Sequence, residues 1–157
     1  MKQQPTDNYK TNEATYLADY MASKNQRFSN LMLDLLFAFL FQGAVLALLE
    51  GIGILDENMM NSRRVIVPLS FLLVFLYWTG TEYLFGKTPG KSITKTKVVM
   101  MDGSKPDLLT VVKRTLARLI PFDPFSFLFG APTGWHDSLT NTRVVEDDFT
   151  PEDDFML

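Results

Sequence analysis

The sequence predicts an all-α membrane protein with two transmembrane helices, an amphipathic or re-entrant third element and a short cytoplasmic β pairing. Three observations predict this class: two long apolar windows, a basic segment after the second window, and a third apolar stretch interrupted by prolines. The 157 residues have room for one domain. We divide them into a polar N-terminal tail (1–26), a membrane domain (27–145) and an acidic C-terminal tail (146–157).

The first two windows are long enough to cross a bilayer. Residues 31–55 and 65–85 both exceed or match the helix length that spans a hydrocarbon core of about 30 Å. Buried helices of a soluble protein normally carry a polar stripe, whereas Leu35 to Leu49 offers only Gln42, and Val65 to Thr81 has no charge. We therefore predict two membrane spans, the second carrying its single charge, Glu82, near its end.

The third apolar stretch, 119–135, contains three prolines and Asp123. Each internal proline would remove a hydrogen bond from a continuous helix. We predict an interfacial or re-entrant element, with a third span as the alternative. Before it, residues 107–120 predict a helix capped by Asp107 that lies in the headgroup layer. Its basic residues would contact anionic lipids: Lys113, Arg114 and Arg118.

Basic residues also predict the orientation. Eight of them lie between Gly86 and Arg118, against only Asp102 and Asp107, so this segment is predicted to be cytoplasmic. Two spans return the chain to its starting side, which makes the N-terminus cytoplasmic as well. Arg63 and Arg64, in the outer connection, conflict with this rule but are outnumbered. With no cleavable signal pattern in the first thirty residues, we expect a multi-pass protein of a bacterial cytoplasmic (inner) membrane.

The cytoplasmic segment predicts two short strands. Lys95 to Met101 ends at the turn signal Asp102-Gly103, and Thr142 to Glu146 has a similar β-branched pattern, so the two are expected to pair. The preceding GKTPGKS, Gly86 to Ser92, resembles a phosphate-binding loop. However, only three residues separate its first glycine from the Gly-Lys pair, where that motif has four. We interpret it as a tight basic turn.

Three blocks of the sequence resemble the RDD family of small integral membrane proteins. The charged signature consists of Arg27, Asp34 and, in the closing block GWHDSLTNTRVV, Asp137. The loop block, GKTPGKSITKTKVVMMDG, supplies Gly86, Lys87, Pro89, Gly90, Lys91, Asp102 and Gly103. The closing block adds Trp135, His136, Thr142 and Arg143. The resemblance implies a membrane protein of a family whose function is mostly unassigned, with ion or proton exchange proposed for some members.

The charged signature also has a physical interpretation. Seven helical residues turn through about 700°, which places Arg27 and Asp34 nearly on one face, about 10 Å apart along the axis. A carboxylate inside an apolar window has to be paired or protonated, so Asp34 is the candidate ion-binding residue. We expect its partner to be Arg27 or the basic loop. The competing interpretation is a structural lock that fixes helix register and ties the Trp-His-Asp segment to the bundle.

Composition excludes several kinds of chemistry. No cysteine and a single histidine exclude a disulfide scaffold, a cysteine nucleophile and a thiolate or histidine-rich metal site. One histidine with incidental serines makes no catalytic triad, and Trp135 beside it is more typical of an interface anchor. We expect no enzyme activity, no cofactor, no metal site and no nucleic-acid partner.

Two functions fit these features. The preferred hypothesis is an inner-membrane accessory or scaffold subunit, whose helices pack against a larger membrane complex. The alternative is a homo-oligomeric ion or proton exchanger that uses Asp34, since two spans alone enclose no pathway. The partners expected are therefore the lipid bilayer and either another membrane protein or further copies of the chain.

Overall fold

The computed structural model describes residues 17–120, 123–126 and 133–150. Its helices are α1 (Lys24–Gly51), α2 (Glu57–Asn61), α3 (Arg63–Phe85), α4 (Pro89–Ile93), α5 (Leu108–Ala117), α6 (Asp123–Ser126) and α7 (Trp135–Leu139). Its strands are β1 (Thr96–Met100), between α4 and α5, and β2 (Thr142–Glu146), after α7. The protein is therefore mostly helical, with a small sheet.

Helices α1 and α3 are the two helices of the described residues that are long and apolar enough to cross a membrane. They have 28 and 23 residues, which correspond to about 42 Å and 34 Å of helix. Only 11% and 17% of their most apolar windows are buried, so they are unlike the core helices of a soluble protein. Most of their apolar side chains point outward, Phe39 and Phe71 among them.

Local sequence fixes where these helices begin and end. Ser23 caps α1 in a reciprocal capping box, in which the side chains of Ser23 and Gln26 bond each other's backbone amides. Helix α3 ends at Gly86, whose φ of 71° lies in the left-handed region that favours glycine. Gly86 thus ends α3 and directs the chain into the basic loop.

Two contacts join α1 to α3 in the apolar region. The Gln42 side-chain amide donates to the Ser70 hydroxyl at 2.7 Å, and the Phe41 and Tyr77 rings lie 5.7 Å apart. A polar pair between apolar helices satisfies both groups internally, which matters because lipid offers them no partner. The polar residue of the first window is therefore used for helix pairing.

The predicted strand pairing is confirmed. β1 and β2 pair antiparallel, with Thr96 opposite Glu146 and Met100 opposite Thr142. The segment before α1 joins the same sheet, since Ala22 N–H donates to the Val144 carbonyl at 2.9 Å. Beneath the sheet, one hydrophobic cluster combines Leu17, Val99, Val145 and Phe149. Residues from both predicted tails therefore pack on the sheet that closes the cytoplasmic side of the predicted topology.

Helix α5 is capped by Asp107, whose carboxylate accepts from Thr110 N–H at 2.9 Å, as the sequence predicts. Its buried face carries Val111, Arg114, Thr115 and Ala117, while Leu108, Leu109 and Leu116 are exposed. Thr79 of α3 bonds Thr115 at 3.1 Å. The helix therefore packs against α3 through its small and charged residues and leaves its leucines outside.

The predicted lipid contact through Arg114 and Arg118 is wrong. Arg114 has no exposed surface, and Arg118 is about nine-tenths buried, because both guanidinium groups bind carboxylates of the chain itself. Lys113, the third predicted lipid contact, is exposed. The face of α5 that carries the two arginines therefore packs against the protein interior, and Lys113 lies on the exposed side with the leucines.

Only part of the predicted third element falls among the described residues. Within it, the structure has α6 and the buried residues Asp123, Ser126 and Thr133. The Ser126 hydroxyl donates to the Asp123 carbonyl at 2.7 Å and accepts from Trp135 N–H at 3.0 Å. Residues 121–122 and 127–132 lie outside the description, and the choice between a re-entrant element and a third span depends on them.

Candidate functional site: a buried charge network

The Asp34 carboxylate is held by the loop that follows α3. Thr88 Oγ1 donates to Asp34 Oδ2 at 2.6 Å, Gly90 N–H donates to Oδ1 at 2.8 Å, and Lys91 Nζ lies 3.9 Å from Oδ2. A β-carbon on Gly90 would lie 2.5 Å from Asp34 Oδ1 and 2.9 Å from the Asn30 carbonyl oxygen. The loop that resembles a phosphate cradle thus binds the protein's own carboxylate, and only glycine fits at its closest point.

The polar stripe of α1 continues on both sides of Asp34. Arg27, Asn30 and Asp34 are all buried, at the spacing that places them on one helical face. Asn30 donates to Thr96 Oγ1 at 3.0 Å and accepts a short hydrogen bond from Thr94 Oγ1. The stripe therefore docks the predicted cytoplasmic segment, including the start of β1, onto the first helix.

Asp137 is bound by two arginines. Arg27 Nη1 lies 2.6 Å from its Oδ2, and Arg114 Nη1 lies 2.7 Å from its Oδ1. Arg27 also donates from Nε to the Ala22 carbonyl at 3.2 Å and from Nη2 to the Val144 carbonyl at 3.3 Å. Arg27 is therefore the partner of Asp137 and not of Asp34, whose partners are those of the loop.

Electrostatics keep this centre ionised. Burial alone would raise the pKa of Asp137, but His136, Arg114 and Arg27 outweigh it and hold the pKa well below its usual value. Burial alone would lower the pKa of Arg114, but Glu82 and Asp137 raise it above its usual value. Both groups are therefore charged throughout the physiological range.

Glu82, near the C-terminal end of α3, is the second centre. It is 3% exposed and contacts three cations: Lys91 Nζ at 2.8 Å, Arg114 Nε at 3.3 Å and Arg118 Nη2 at 2.5 Å. The sequence identifies Glu82 only as the single charge near the end of the second window, and it does not predict this centre. The available signal was that Glu82 is the one charge of its window and is followed by a basic segment that needs counter-charges.

His136 and Asp123 make a third pair beside Asp137. His136 N–H donates to Asp123 Oδ1 at 2.8 Å, and the ring Nδ1 lies 2.7 Å from Oδ2. Burial lowers the pKa of His136, and although Asp137 and Asp123 act in the opposite direction, the net pKa stays below the usual value. The ring is therefore neutral near pH 7, with its proton on Nδ1 facing Asp123.

The charges of the site cancel. Four cationic and four carboxylate side chains meet, and the neutral ring of His136 adds nothing to the sum. The cations are Arg27, Lys91, Arg114 and Arg118; the carboxylates are Asp34, Glu82, Asp123 and Asp137. Removing one partner of such a buried pair costs about 3–5 kcal/mol, because it strands the other charge. The arrangement is a lock that joins both long helices to α4, α5, α7 and the sheet.

A cavity of about 70 Å³ lies within this network. Arg27, Lys91, Arg118, Asp34 and Asp123 line it, and Leu31, Trp78 and Val144 form its apolar wall. Arg118 stacks over Trp78, with its guanidinium carbon 5.6 Å from the ring. The cavity is large enough for several water molecules, since one needs about 10–15 Å³ on this measure.

The remaining predicted site residues have varied positions. Lys87 pairs with Asp147 at 2.6 Å near the surface, and Pro89 begins α4. Hydrogen bonds from Ser104 lower the pKa of Asp102, whose neighbour Gly103 has a φ of 79° in the turn after β1. Of the closing block, Thr142 is buried and accepts a short hydrogen bond from Arg114. Two others lie further out: Trp135, 45% exposed, and Arg143, half-buried.

The residues that the structure describes contain no group of three or more histidine, aspartate or glutamate side chains arranged to hold a metal ion. Two helices that are long and apolar enough to cross a membrane, that expose their nonpolar side chains and that bury charge at one end suggest a membrane protein. The RDD family model matches residues 21–151, and the chain belongs to the RDD family. No curated protein and no solved structure matches the chain.

Proposed function

We propose that the chain is an accessory or scaffold subunit of a bacterial cytoplasmic membrane, with its N-terminus cytoplasmic and its helices packed against a larger membrane complex. The observation that carries this proposal is that the carboxylates of the charge network already have partners within the chain. Each carboxylate of the network already has a cation or a set of hydrogen-bond donors from the chain itself. A site built in this way stabilises a scaffold.

Asp34 illustrates the point. Its two oxygens accept from Thr88 and Gly90, and Lys91 lies nearby as a counter-charge. A transported cation would have to displace these donors, and the close fit at Gly90 leaves no space for it on that side. The geometry therefore favours a fixed carboxylate over one that exchanges its partner in each cycle.

The outer surface supplies the second support. Large apolar side chains are exposed along both long helices and along α5. In a bilayer they contact lipid or another protein, and two helices offer one another only a narrow interface. The basic residues between the second helix and α5, such as Lys95, Lys105 and Lys113, favour the cytoplasmic placement of that side.

Extraction of the tagged full chain from its native membranes in mild detergent tests the proposal. We expect a stoichiometric membrane-protein partner and a native mass well above that of the chain. Phe39→Ala and Phe71→Ala remove exposed rings from α1 and α3 and are expected to weaken the complex without unfolding the chain. Phe85→Ala, equally exposed at the inner end, is the matched control that tells a mid-membrane interface from a general loss of apolar surface. Recovery of the chain alone would overturn the accessory role.

A homo-oligomeric ion or proton exchanger is the second candidate, favoured by the one observation that Asp34 lines a cavity together with other charged side chains. Purified protein in sealed vesicles would then convert a Na⁺ gradient into a pH change. Asp34→Asn should abolish that change, whereas Asp147→Asn, at a half-exposed surface pair, should leave it intact. Equal rates for Asp34→Asn and the unaltered protein would eliminate this candidate.

A further inference from the structure

Two grooves adjoin where α3 ends. The larger has a volume of about 510 Å³ and is lined by the end of α3, by β1 and by the segment after β2. We call it the basic groove, because Lys87, Lys97 and Lys105 line it. The smaller has a volume of about 350 Å³, and we call it the apolar groove, because Phe37, Phe85 and Ile93 line it. Phe85 and Lys87 belong to both walls, so the two grooves meet there.

The basic groove carries positive charge that the described chain does not neutralise. Its three lysines share the wall with one carboxylate, that of Asp147. Among the described residues the one ion pair at this wall joins Lys87 to Asp147 at 2.6 Å. Lys97 instead donates to the carbonyls of Asp147 and Phe149, at 2.8 and 2.5 Å, and these acceptors are neutral. Once the ion pair is counted, two positive charges are left at the groove, on Lys97 and Lys105.

These lysines form a concave site and are not scattered over the surface. The two hydrogen bonds fix the Lys97 ammonium group, which also lies 5.9 Å from the centre of the Phe149 ring. Lys105 lies against the end of α3, since a β-carbon on Gly86 would be 3.8 Å from Lys105 Cε. Gly86 and Gly103 line the groove and have no side chain to fill it. The space between the lysines therefore stays open for a ligand.

The apolar groove extends from this charge towards the long helices. Phe85 and Ile93 are 72% and 58% exposed although both are apolar. Helix α3 has 23 residues, about 34 Å, which slightly exceeds a hydrocarbon core of about 30 Å. In a bilayer its last residue, Phe85, therefore lies at the boundary between acyl chains and headgroups. The apolar groove then lies beside acyl chains, and the basic groove lies at the depth of headgroups.

We propose that the two grooves bind one anionic phospholipid, with its phosphate beside Lys97 and Lys105 and an acyl chain along Phe85 and Ile93. Basic residues at the membrane surface attract anionic lipids, and ammonium groups donate charge-assisted hydrogen bonds to phosphate oxygens. An acyl chain would also cover apolar surface that a soluble anion leaves exposed. The site uses no arginine of the buried charge network. It rests on the membrane placement proposed above but not on a protein partner, so the two proposals can fail separately.

Two pairs of variants test the two grooves. Lys105→Gln removes one charge from the basic groove, and Lys113→Gln removes the same charge from α5, outside it. Ile93→Ala removes apolar surface from the apolar groove. Leu84→Ala is its matched control, because Leu84 is 66% exposed and lines neither groove. All four side chains are exposed, so the variants are expected to fold.

Native mass spectrometry of the purified full chain measures the bound lipid. Phosphatidylglycerol is titrated against phosphatidylcholine with the same acyl chains, which has a phosphate but no net charge. We expect one phosphatidylglycerol per chain, bound about tenfold more tightly than phosphatidylcholine. Lys105→Gln should weaken its binding about fivefold and Ile93→Ala about threefold. Lys113→Gln and Leu84→Ala should bind it as the unaltered chain does.

Three results would overturn the proposal. Equal weakening by Lys105→Gln and Lys113→Gln would mean a general attraction between the lipid and the basic segment. Equal binding of the two lipids would mean that the basic groove does not select charge. No retention of phosphatidylglycerol by the unaltered chain would also exclude the site.

The acidic C-terminal tail is the competing occupant of the basic groove. Its carboxylates Glu152, Asp153 and Asp154 lie outside the described residues. A triple variant, Glu152→Gln with Asp153→Asn and Asp154→Asn, distinguishes the two occupants. If this variant retains phosphatidylglycerol and the unaltered chain does not, the tail occupies the groove and the lipid site is wrong. Equal retention by both supports the lipid.

Discussion

The two ends of the α1–α3 helix pair are stabilised by different contacts. In α1 the buried residues run from Arg27 to Ala38, just past the middle of the helix, and in α3 they run from Leu73, just before its middle, to Glu82. Because the helices run antiparallel, these two parts meet at the same end. That end, which we call the charged end, is fixed by ion pairs and hydrogen bonds. The remaining parts of the two helices, which we call the outer halves, share mainly the hydrogen bond between Gln42 and Ser70.

The contacts within the chain that hold the fold together are therefore concentrated at the charged end. The apolar side chains of the outer halves are exposed and can contact lipid or another protein. A soluble protein usually leaves its charged side chains exposed, whereas at the charged end of this protein several of them are buried. Glu82, Arg114 and Asp137 are almost fully buried, while leucines of α5 are exposed. Substitutions at the charged end should therefore cost far more stability than substitutions in the outer halves.

The largest effect is expected for Asp137→Asn. The change leaves Arg27 and Arg114 buried beside a neutral group, so we expect a loss of about 3–5 kcal/mol in the free energy of unfolding. Chemical unfolding in detergent, followed by circular dichroism, measures it. Asp147→Asn, which breaks the half-exposed pair with Lys87, is the control and should cost only about 0–1 kcal/mol. Similar losses in the two variants would refute the contrast between buried and surface pairs.

Gly90→Ala should have the second largest effect. The new β-carbon would lie 2.5 Å from Asp34 Oδ1 and would push the loop away from α1. Overpacking of this kind typically costs about 1–3 kcal/mol. Gly43→Ala is the matched control in the outer half, because a β-carbon there meets nothing within 4 Å and alanine is the better helix former. A melting temperature of Gly90→Ala equal to that of Gly43→Ala would show that the cradle tolerates a side chain.

The sequence predicted the helices and the sheet but not the pairing of the charges. Apolar windows and the turn signal at Asp102-Gly103 are local features, and the two long helices and the confirmed strand pairing follow from them. The partner of Asp34 lies 54 or more positions away, on a loop whose path depends on Gly86. Hydrophobic periodicity gives the face of a helix that carries charge, but not the element that this face meets.

Arg114 shows this limit most clearly. A basic stripe opposite a leucine stripe has the same pattern whether the arginines face phosphates or buried carboxylates. What decides between them is the presence of Glu82 and Asp137, which lie on two other elements. The sequence contained one signal, since Asp34, Glu82 and Asp123 lie in apolar stretches and need cations as partners when those stretches are buried. Assigning each cation to its carboxylate required the tertiary structure.

The pH dependence of stability should come next in size. The pKa of His136 is lowered by burial, so the unfolded chain binds a proton at this residue at a higher pH than the folded chain does. Stability is then fully present above the unfolded pKa of about 6.5 and falls as the pH decreases towards the lower folded value, by at most about 1.4 kcal/mol per pH unit. Asp137, whose pKa is lowered, behaves differently: its contribution is complete above its unfolded pKa of about 3.9 and is lost only in stronger acid.

His136→Asn isolates the histidine contribution. The asparagine amide keeps a donor for Asp123 but does not titrate, so the slope of unfolding free energy below about pH 6.5 should become flatter. Denaturant unfolding at a series of pH values from about 6.5 downward measures this slope. An unchanged slope would assign that pH dependence to other groups.

The smallest effect is expected for the outer contact, in Gln42→Leu. The substitution removes the hydrogen bond to Ser70 but keeps the side-chain size, and interhelical hydrogen bonds in membranes average about 0.6 kcal/mol. Ser70→Ala and the double variant complete a cycle that isolates the pair from changes in lipid contact. A coupling energy as large as that of the Asp137 pairs would mean that the outer halves are held as firmly as the charged end. A small coupling energy means that another helix can separate the outer halves at little cost while the ion pairs of the charged end stay intact.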